Sequence, residues 1–320
     1  SLLAVRLIAK IKNLLGRHIP LATLFQEATI ERLAVFLRQQ VDPLPSSVLV
    51  KIQPRGLKPP FFCVHPAGGT TFCYIDLARH LGSDQPFFGL QAIGVDGQQQ
   101  PLSTVEEMAT GYITELRKAQ PLGPYFLGGW STGGVVAFEM AQQLNKQGEK
   151  VALLALFDCI VPVPLADDGT SPDTAFLIMI SEENDIPISV EELRRLSSDE
   201  QINYFLEQAK SCHFIPADTD LDQASSFLKL YRSNFQAVHN YKPQVYPNRI
   251  TLFRAREMAK DCSEHPYAYL LQDPTRGWSK FSSLPIEIEV VSGTHPTMVY
   301  EPHVQELADK LRQALSKSQM

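Results

Sequence analysis

The sequence predicts an α/β fold in which helices cover both faces of a mostly parallel β-sheet. From residue 48 onward, short apolar runs of buried-strand length alternate with helical patterns, and this alternation is typical of parallel sheets. A Gly-x-Ser-x-Gly motif, Gly129 to Gly133, lies between one such run and a helical pattern and marks a sharp strand-to-helix turn. The 320 residues suffice for one sizeable domain of this kind with a small appendage.

The appendage lies at the start of the chain. Residues 1–40 carry two apolar stripes of helical spacing, separated by the helix breaker His18-Ile19-Pro20-Leu21. Because so short a stretch cannot enclose a stable core alone, we expect it to be part of a helical bundle. Residues 41–47 contain two prolines and are predicted to be an extended linker, which leaves residues 48–320 as the main domain.

Strand and helix patterns can be followed in order along the main domain. The predicted strands lie at 48–53, 61–64, 87–90, 125–127, 151–157, 249–253 and 286–291. One helical stretch begins at Ser103, whose spacing to Glu106 fits a capping box, and a second follows Ser131. The last predicted helix is amphipathic and spans 304–315.

Residues 163–248 interrupt this alternation. They contain helical patterns at 190–209 and 227–238, and Ser189 and Glu192 fit a second capping box. Amphipathic helices inserted between two sheet strands, beyond a strand-to-helix turn of this type, usually cover an active site. We therefore predict a lid at about 163–248; the alternative is that the insertion serves only as structural support.

Composition limits the classes of function. The net charge is −6 with scattered basic residues, which disfavours nucleic acid or an anionic membrane as the main partner, and no apolar run is long enough to cross a bilayer. The five cysteines are odd in number and show no Cys-x-x-Cys pairing, so they are predicted to be reduced thiols, with neither a disulfide framework nor a metal site. These features favour a cytoplasmic location.

Ser131 is the candidate nucleophile. In a nucleophile elbow, the turn lifts the serine hydroxyl above the sheet edge, and the flanking glycines let backbone segments approach closely. The motif alone also occurs in ordinary Gly-rich turns. Here the apolar run before it and the helical pattern after it favour the catalytic interpretation.

An activated serine needs a base and a group that orients the base, and in α/β-hydrolases the chain order is Ser, then Asp or Glu, then His. Among the downstream histidines, His295 directly follows a strand-like run and is the predicted base. Two acids compete for the orienting role. Asp158 is preferred because it ends a buried run, where an ionised group needs a partner, and Glu257 after the next strand is the alternative.

The oxyanion hole is predicted to use two backbone amides. One is that of Thr132, the residue after the nucleophile, and the other belongs to the loop Val64-His65-Pro66-Ala67-Gly68-Gly69-Thr70. Since Pro66 has no N–H, Ala67 is the best candidate. Chain order argues against His65 as the base, so it is expected to be structural or to line the pocket.

These motifs together resemble the terminal thioesterase domains of nonribosomal peptide synthetases and polyketide synthases, preceded by part of a carrier domain. The matching segments occur in the family's order over nearly the whole chain: Phe61 to Gly69, Phe88 to Ala92 with Asp96-Gly97, Gly128 to Ser131, Leu153 to Asp158, Gly277-Trp278, and Gly293 to His303. Three positions depart from the usual pattern, Thr132, Cys159 and Thr294, and none of them removes a catalytic group.

The resemblance implies an α/β-hydrolase fold with a helical lid and a triad at Ser131, Asp158 and His295. It also implies that residues 1–40 are the end of a carrier domain, in which Ser1 stands where 4′-phosphopantetheine is attached; the alternatives for Ser1 are a helix N-cap or a mere chain boundary. The thioesterase domain itself needs no cofactor, and the 4′-phosphopantetheine belongs to the intact carrier.

The predicted reaction is release of a carrier-bound acyl or peptidyl chain through an acyl-enzyme at Ser131, by hydrolysis or macrocyclisation. The upstream carrier protein is the expected partner. Two other classes stay open: a carboxylesterase or lipase-like serine hydrolase with the same triad, and an inert docking module whose helices at 1–40 bind a partner. A reductase is disfavoured because no G-x-G-x-x-G fingerprint follows a strand.

Overall fold

A computed structural model describes residues 2–17, 19, 23–26, 30–38, 47–95, 99–163, 171–183, 186–215, 221–258 and 268–319. These residues form one seven-stranded sheet. Its strands are β1 (Leu49–Gln53), β2 (Phe61–Val64), β3 (Phe87–Leu90), β4 (Tyr125–Trp130), β5 (Val151–Phe157), β6 (Thr251–Ala255) and β7 (Glu287–Val291). Each predicted strand is found: β2, β3 and β5 have the predicted ends, and the ends of the other four are shifted by one to three residues.

The strand order is β1-β3-β2-β4-β5-β6-β7, and only β1 runs antiparallel to its neighbour among these described strands. The predicted α/β-hydrolase fold with a mostly parallel sheet is confirmed. The chain leaves β2 toward one edge of the sheet and leaves β4 toward the other. The carboxyl ends of β2 and β4 therefore form a topological switch point, where open α/β sheets bind their ligands.

Helices cover both faces of the sheet. The described helices are α1 (Leu2–Leu15), α2 (Thr23–Gln26), α3 (Ile30–Arg38), α4 (Ile75–Leu81), α5 (Val105–Ala119), α6 (Thr132–Lys146), α7 (Pro172–Glu183), α8 (Val190–Arg195), α9 (Ser198–Ser211), α10 (Leu221–Asn240), α11 (Ala268–Gln272) and α12 (Val304–Ser318). One core cluster joins the sheet to α5 and α6, and another joins it to α4 and α12. Burial on both faces explains why β2 and β3 are apolar throughout.

Two helix predictions need correction. The side chain of Thr104 caps α5 by accepting a hydrogen bond from the Glu107 N–H at 3.2 Å, so the helix begins at Val105, later than the Ser103 start predicted from the sequence. The pattern at 190–209 is two helices, because Ser197 and Glu200 form a capping box that starts α9 afresh. The Ser189 cap on α8 is as predicted.

The insertion between β5 and β6 carries α7 to α10 and has a small core of its own. Its buried centre includes Phe176, Leu193, Phe205 and Phe235. Asp173 of α7 ties this unit together, since its carboxylate accepts hydrogen bonds from Arg232 and Gln236 of α10 at 3.1 and 2.9 Å. The insertion is therefore a folded helical unit with its own packing.

Two of the helices before β1 contact the rest of the chain. Helix α1 contacts α10, α2 contacts β1, and Ile11 and Ile19 are buried. Ser1 and most of the predicted linker, 41–46, lie outside the described residues. No helix in the described part of the chain is long and apolar enough to span a membrane.

Candidate active site

Ser131 occupies a sharp turn between β4 and α6. Its backbone has φ 58° and ψ −127°, a conformation that is strained for a residue with a Cβ. The turn is possible because two glycines touch: a Cβ on Gly129 would lie 2.2 Å from the carbonyl carbon of Gly133. The Ser131 N–H donates to the Phe157 carbonyl at 3.0 Å, which anchors the turn to the end of β5. This geometry is that of a nucleophile elbow.

Asp158 and His295 meet beside this elbow. The Asp158 Oδ2 and His295 Nδ1 atoms are 2.9 Å apart, although 137 residues separate them. Because an ionised carboxylate can only accept, Nδ1 carries the proton and Nε2 is the basic nitrogen. Trp130, the residue before Ser131, packs on the imidazole at 5.3 Å between ring centroids and donates its indole N–H to the His295 carbonyl at 3.1 Å. The histidine loop is thus fastened to the elbow strand.

The second oxygen of Asp158 is held by two other groups. Oδ1 accepts a hydrogen bond from the Ala255 N–H at 3.0 Å and one from Arg276 Nη2 at 3.2 Å. The side chains of Asp158 and Arg276 are each 5% exposed, so the ion pair is buried. Arg276 was not found by the sequence reasoning. Arg276 directly precedes the Gly277-Trp278 pair, which is part of the family resemblance. This position next to a family motif is the one indication in the sequence that Arg276 belongs to the site.

Burial alone would raise the pKa of Asp158. The hydrogen bond and charge of His295 oppose this, as do the charge of Arg276 and the Ala255 amide, and together they lower the pKa to about 2. Asp158 is therefore ionised at neutral pH, as a group that orients and stabilises an imidazolium must be.

Glu257, the alternative acid, has a different position. Its carboxylate accepts a hydrogen bond from the Gly293 N–H at 3.3 Å, and its own N–H donates to the Gly293 carbonyl at 3.1 Å. Glu257 thus braces the loop that leads to His295 and is not the group on Nδ1. Among the other downstream histidines, His239 bonds through Nδ1 to the Phe235 carbonyl within α10, and His265 lies outside the described residues.

The loop after β2 lies against the elbow. A Cβ on Gly133 would come within 2.4 Å of the Val64 carbonyl oxygen, so the end of β2 and the first turn of α6 are in direct backbone contact. Thr132 is the first residue of α6. Ala67 is buried in the loop, and its carbonyl accepts a hydrogen bond from the Asn234 side chain of α10 at 2.8 Å. The two predicted oxyanion donors therefore belong to adjoining segments, and the insertion braces one of them.

Tyr74 is a further residue that the sequence reasoning missed. Its hydroxyl donates to the Val64 carbonyl at 2.6 Å and accepts from the Trp130 N–H at 2.9 Å. Tyr74 is fully buried, and burial raises its pKa well above the ordinary value. It therefore acts as a neutral bridge between the ends of β2 and β4. Of the predicted site residues, Ser1 alone lies outside the described part of the chain.

Comparison with known proteins identifies the family to which this chain is similar. The model of the thioesterase domain family matches residues 59–315. The chain is 33% identical over 259 residues to a dimodular nonribosomal peptide synthase of Bacillus subtilis, covering 80% of this chain and 11% of that protein. It is 31% identical over 302 residues to malpibaldin synthetase of Mortierella alpina, covering 93% of this chain and 5% of that protein. The chain thus spans a small part of these curated relatives.

Solved structures give the same result. The four-domain nonribosomal peptide synthetase holo-AB3403, bound to AMP and glycine, superposes with a TM-score of 0.72 at 29% identity. The match covers 97% of this chain and 23% of the synthetase. The NocB thioesterase domain in covalent complex with a fluorophosphonate nocardicin G analogue has a TM-score of 0.61 at 25% identity, over 83% of this chain and 99% of its own. The chain therefore belongs to the thioesterase domain family, and its resemblance to the thioesterase domains of nonribosomal peptide synthetases is confirmed.

Proposed function

We propose that this domain releases an acyl or peptidyl chain from an upstream carrier protein through a covalent intermediate on Ser131. The observation that carries the proposal is the hydrogen bond of 2.9 Å between His295 and the buried carboxylate of Asp158, next to the elbow that carries Ser131; Trp130 binds the His295 carbonyl to that elbow. An ionised acid, a correctly tautomeric imidazole and a strained serine at one sheet edge are the parts of a serine hydrolase triad. Membership of the thioesterase family supports the choice of a thioester as the substrate.

The first step forms the acyl-enzyme. Nε2 of His295 takes the proton of the Ser131 hydroxyl while the oxygen attacks the thioester carbonyl. Asp158 stabilises the imidazolium, and the N–H groups of Ala67 and Thr132 hold the negative charge on the tetrahedral oxygen. When the carbonyl re-forms, the C–S bond breaks, and the pantetheine sulfur leaves with the proton from His295. Serine is then esterified and the carrier thiol is free.

The second step frees the product. His295 removes a proton from the incoming nucleophile, which attacks the ester carbonyl, and returns that proton to the departing Ser131 oxygen. Water as the nucleophile gives a free acid, whereas an amine or hydroxyl of the acyl chain gives a macrocycle. Both outcomes use the same triad, so the choice depends on how the chain folds beneath the helical insertion, which we propose acts as the lid over about 163–248.

We propose further that residues 1–40 are the end of the carrier domain that delivers the chain. The four-domain synthetase covers 97% of this chain and the isolated NocB thioesterase domain 83%, a difference about as long as residues 1–47. The 4′-phosphopantetheine arm would be held by the intact carrier, and the thioesterase domain would need no cofactor of its own. The role of Ser1 as the attachment residue rests on the sequence resemblance.

The test compares turnover of an acyl-pantetheine thioester by the wild-type domain, Ser131→Ala, and the matched control Ser211→Ala. Ser211 has an exposed hydroxyl that bonds to the Gln208 carbonyl at the end of α9. We expect Ser131→Ala to lose at least about a thousandfold in kcat and the control to lose nothing. Mass spectrometry of the wild-type domain should show an acyl adduct on Ser131. Full turnover by Ser131→Ala would overturn the proposal.

A second comparison separates the thioesterase from an esterase. The same acyl group is presented as a pantetheine thioester and as the matching oxygen ester, and we expect kcat/KM to favour the thioester. Equal or greater turnover of the oxygen ester would favour the carboxylesterase alternative. Absence of turnover together with absence of fluorophosphonate labelling at Ser131 would favour the inert docking module.

A further inference from the structure

The loop after β2 contains a buried histidine that the proposed triad does not use. His65 is 2% exposed and follows β2 directly. Its Nδ1 lies 2.7 Å from the Pro66 carbonyl oxygen, and its Nε2 lies 2.7 Å from the hydroxyl of Tyr112 on α5. A carbonyl oxygen can only accept, so Nδ1 must carry the proton, and Nε2 then accepts the proton of the Tyr112 hydroxyl. These contacts select one tautomer of a neutral ring.

Neutrality of this ring also follows from its surroundings. Burial lowers the pKa of His65 to about 4, although its hydrogen bond to Pro66 acts in the opposite direction. Tyr112 is 1% exposed, and burial raises its pKa far above the ordinary value, so it remains a hydroxyl donor. The Ile93 backbone acts in the opposite direction on the pKa of Tyr112, but burial has the larger effect. The Tyr112–His65 pair thus presents one fixed N–H to the loop.

His65 donates to the carbonyl of the Pro66–Ala67 peptide, and the N–H of the same peptide is the proposed oxyanion donor. The Pro66 C=O and the Ala67 N–H belong to one planar trans peptide and point in opposite directions. A donor that fixes the carbonyl therefore fixes the direction of the N–H. The Gly69 N–H also donates to the Pro66 carbonyl at 2.9 Å, so both lone pairs of that oxygen are held. Hydrogen bonds to the carbonyl also polarise the peptide and strengthen its N–H as a donor.

We propose that His65, held in its Nδ1–H tautomer by Tyr112, is a positioning residue that aims the Ala67 N–H at the oxyanion. The inference rests on the proposed function, because it assigns a task within the same reaction. His65 makes no contact with substrate in this scheme and transfers no proton. Its contribution is to hold one amide where negative charge develops, so it should act on the transition state and leave substrate binding alone.

The test uses two substitutions of nearly equal shape. In His65→Asn, the side-chain amide can donate to the Pro66 carbonyl from the position of Nδ1, whereas His65→Leu cannot donate. We expect His65→Leu to lower kcat at least tenfold with KM nearly unchanged, and His65→Asn to stay within about threefold of wild type. Affinity for a trifluoromethyl ketone analogue of the acyl-pantetheine should fall with kcat, while affinity for a non-hydrolysable thioether analogue should not change.

Tyr112→Phe tests the second half of the pair. It should lower kcat by a smaller factor than His65→Leu does. The Tyr112 hydroxyl that selects the Nδ1–H tautomer is lost, but the imidazole ring of His65 remains in the loop. Tyr125→Phe is the matched control: Tyr125 is equally buried, and its hydroxyl donates to the Pro121 carbonyl at the opposite end of the sheet at 3.1 Å. In the wild-type domain, nitrogen NMR should show a protonated Nδ1 and an unprotonated Nε2 on His65, a measurement that needs no variant.

The outcomes separate this inference from the proposed function. If Ser131→Ala is inactive but His65→Leu has wild-type kcat, the role of His65 is overturned and the proposed function stands. A protonated Nε2 in the wild type, or a His65→Asn variant as impaired as His65→Leu, would likewise overturn the role of His65. Full turnover by Ser131→Ala would instead remove the proposed function and the inference with it.

Discussion

Replacement of Arg276 by methionine should destabilise the domain through Asp158. Methionine keeps most of the length of the side chain and removes its charge, which leaves a buried carboxylate without its cation. Loss of one partner from a buried ion pair costs about 3–5 kcal/mol. Asp158 keeps its bonds to His295 and to the Ala255 N–H, at 2.9 and 3.0 Å, so we expect the lower end, a loss of about 3 kcal/mol in the free energy of unfolding.

A double-mutant cycle isolates the charge interaction from the loss of packing. In an Asp158→Asn background, the acid is already neutral, and Arg276→Met then removes a cation that has lost its partner. The second substitution should therefore cost much less there, which gives a coupling energy of about 2 kcal/mol. Urea unfolding at pH 7 measures all four proteins, and the slopes must agree for the comparison to hold. A coupling energy below about 0.5 kcal/mol would refute this reasoning.

The activities of the same variants provide a check. Without the guanidinium, the pKa of Asp158 should rise from about 2, but the carboxyl should remain ionised at pH 7. Arg276→Met should therefore lower kcat less than Asp158→Asn, which also disturbs the tautomer of His295.

Three further predictions concern the same region. The pKa of His65 is lowered in the folded state to about 4, so the unfolded chain binds a proton more readily than the folded chain between pH 6.5 and 4. Between pH 7 and pH 5 the wild type should therefore lose about 2 kcal/mol of stability relative to His65→Asn, as measured by urea unfolding at both pH values. Glu257→Gln should change kcat by no more than a few fold, whereas Asp158→Asn should lower it at least about a hundredfold in the same thioester assay; similar losses would mean that Glu257 does more than brace the loop. Gly69→Ala should destabilise the domain by about 1–2 kcal/mol more than Gly148→Ala, since both have φ near +79° but only the first would place a Cβ 2.7 Å from a leucine of α10; equal values in urea unfolding would contradict the packing argument.

The features that the sequence predicted well are local. A strand buried on both faces must be apolar along its whole length, so the runs that became β2 and β5 were visible in the sequence. The elbow could also be predicted, because the backbone contact that it requires joins Gly129 to Gly133, only four positions apart in the chain. The capping box at Ser197 and Glu200 was equally local, and the prediction of one continuous helix there overlooked it.

The preference for Asp158 over Glu257 shows how far a local argument can reach. It used only the rule that an ionised group at the end of a buried strand needs a partner. That rule says that partners exist without saying where in the chain they are. In the structure Asp158 has three, from His295, Ala255 and Arg276, at separations of 137, 97 and 118 residues. The histidine could be found because the chain order of the triad is known, whereas nothing comparable exists for the arginine.

Tyr74 illustrates why the supporting residues resist prediction. Its hydroxyl satisfies the Val64 carbonyl and the Trp130 N–H at the switch point, where β2 and β4 end. Their cross-strand partners run out there, and a buried backbone group left without a partner is costly. The need for such a bridge follows from the topology, but its identity depends on which side chain α4 and the turn before it bring to that point. The proposed catalytic groups can therefore be predicted from motifs, while the residues that hold them in place follow only from the assembled fold.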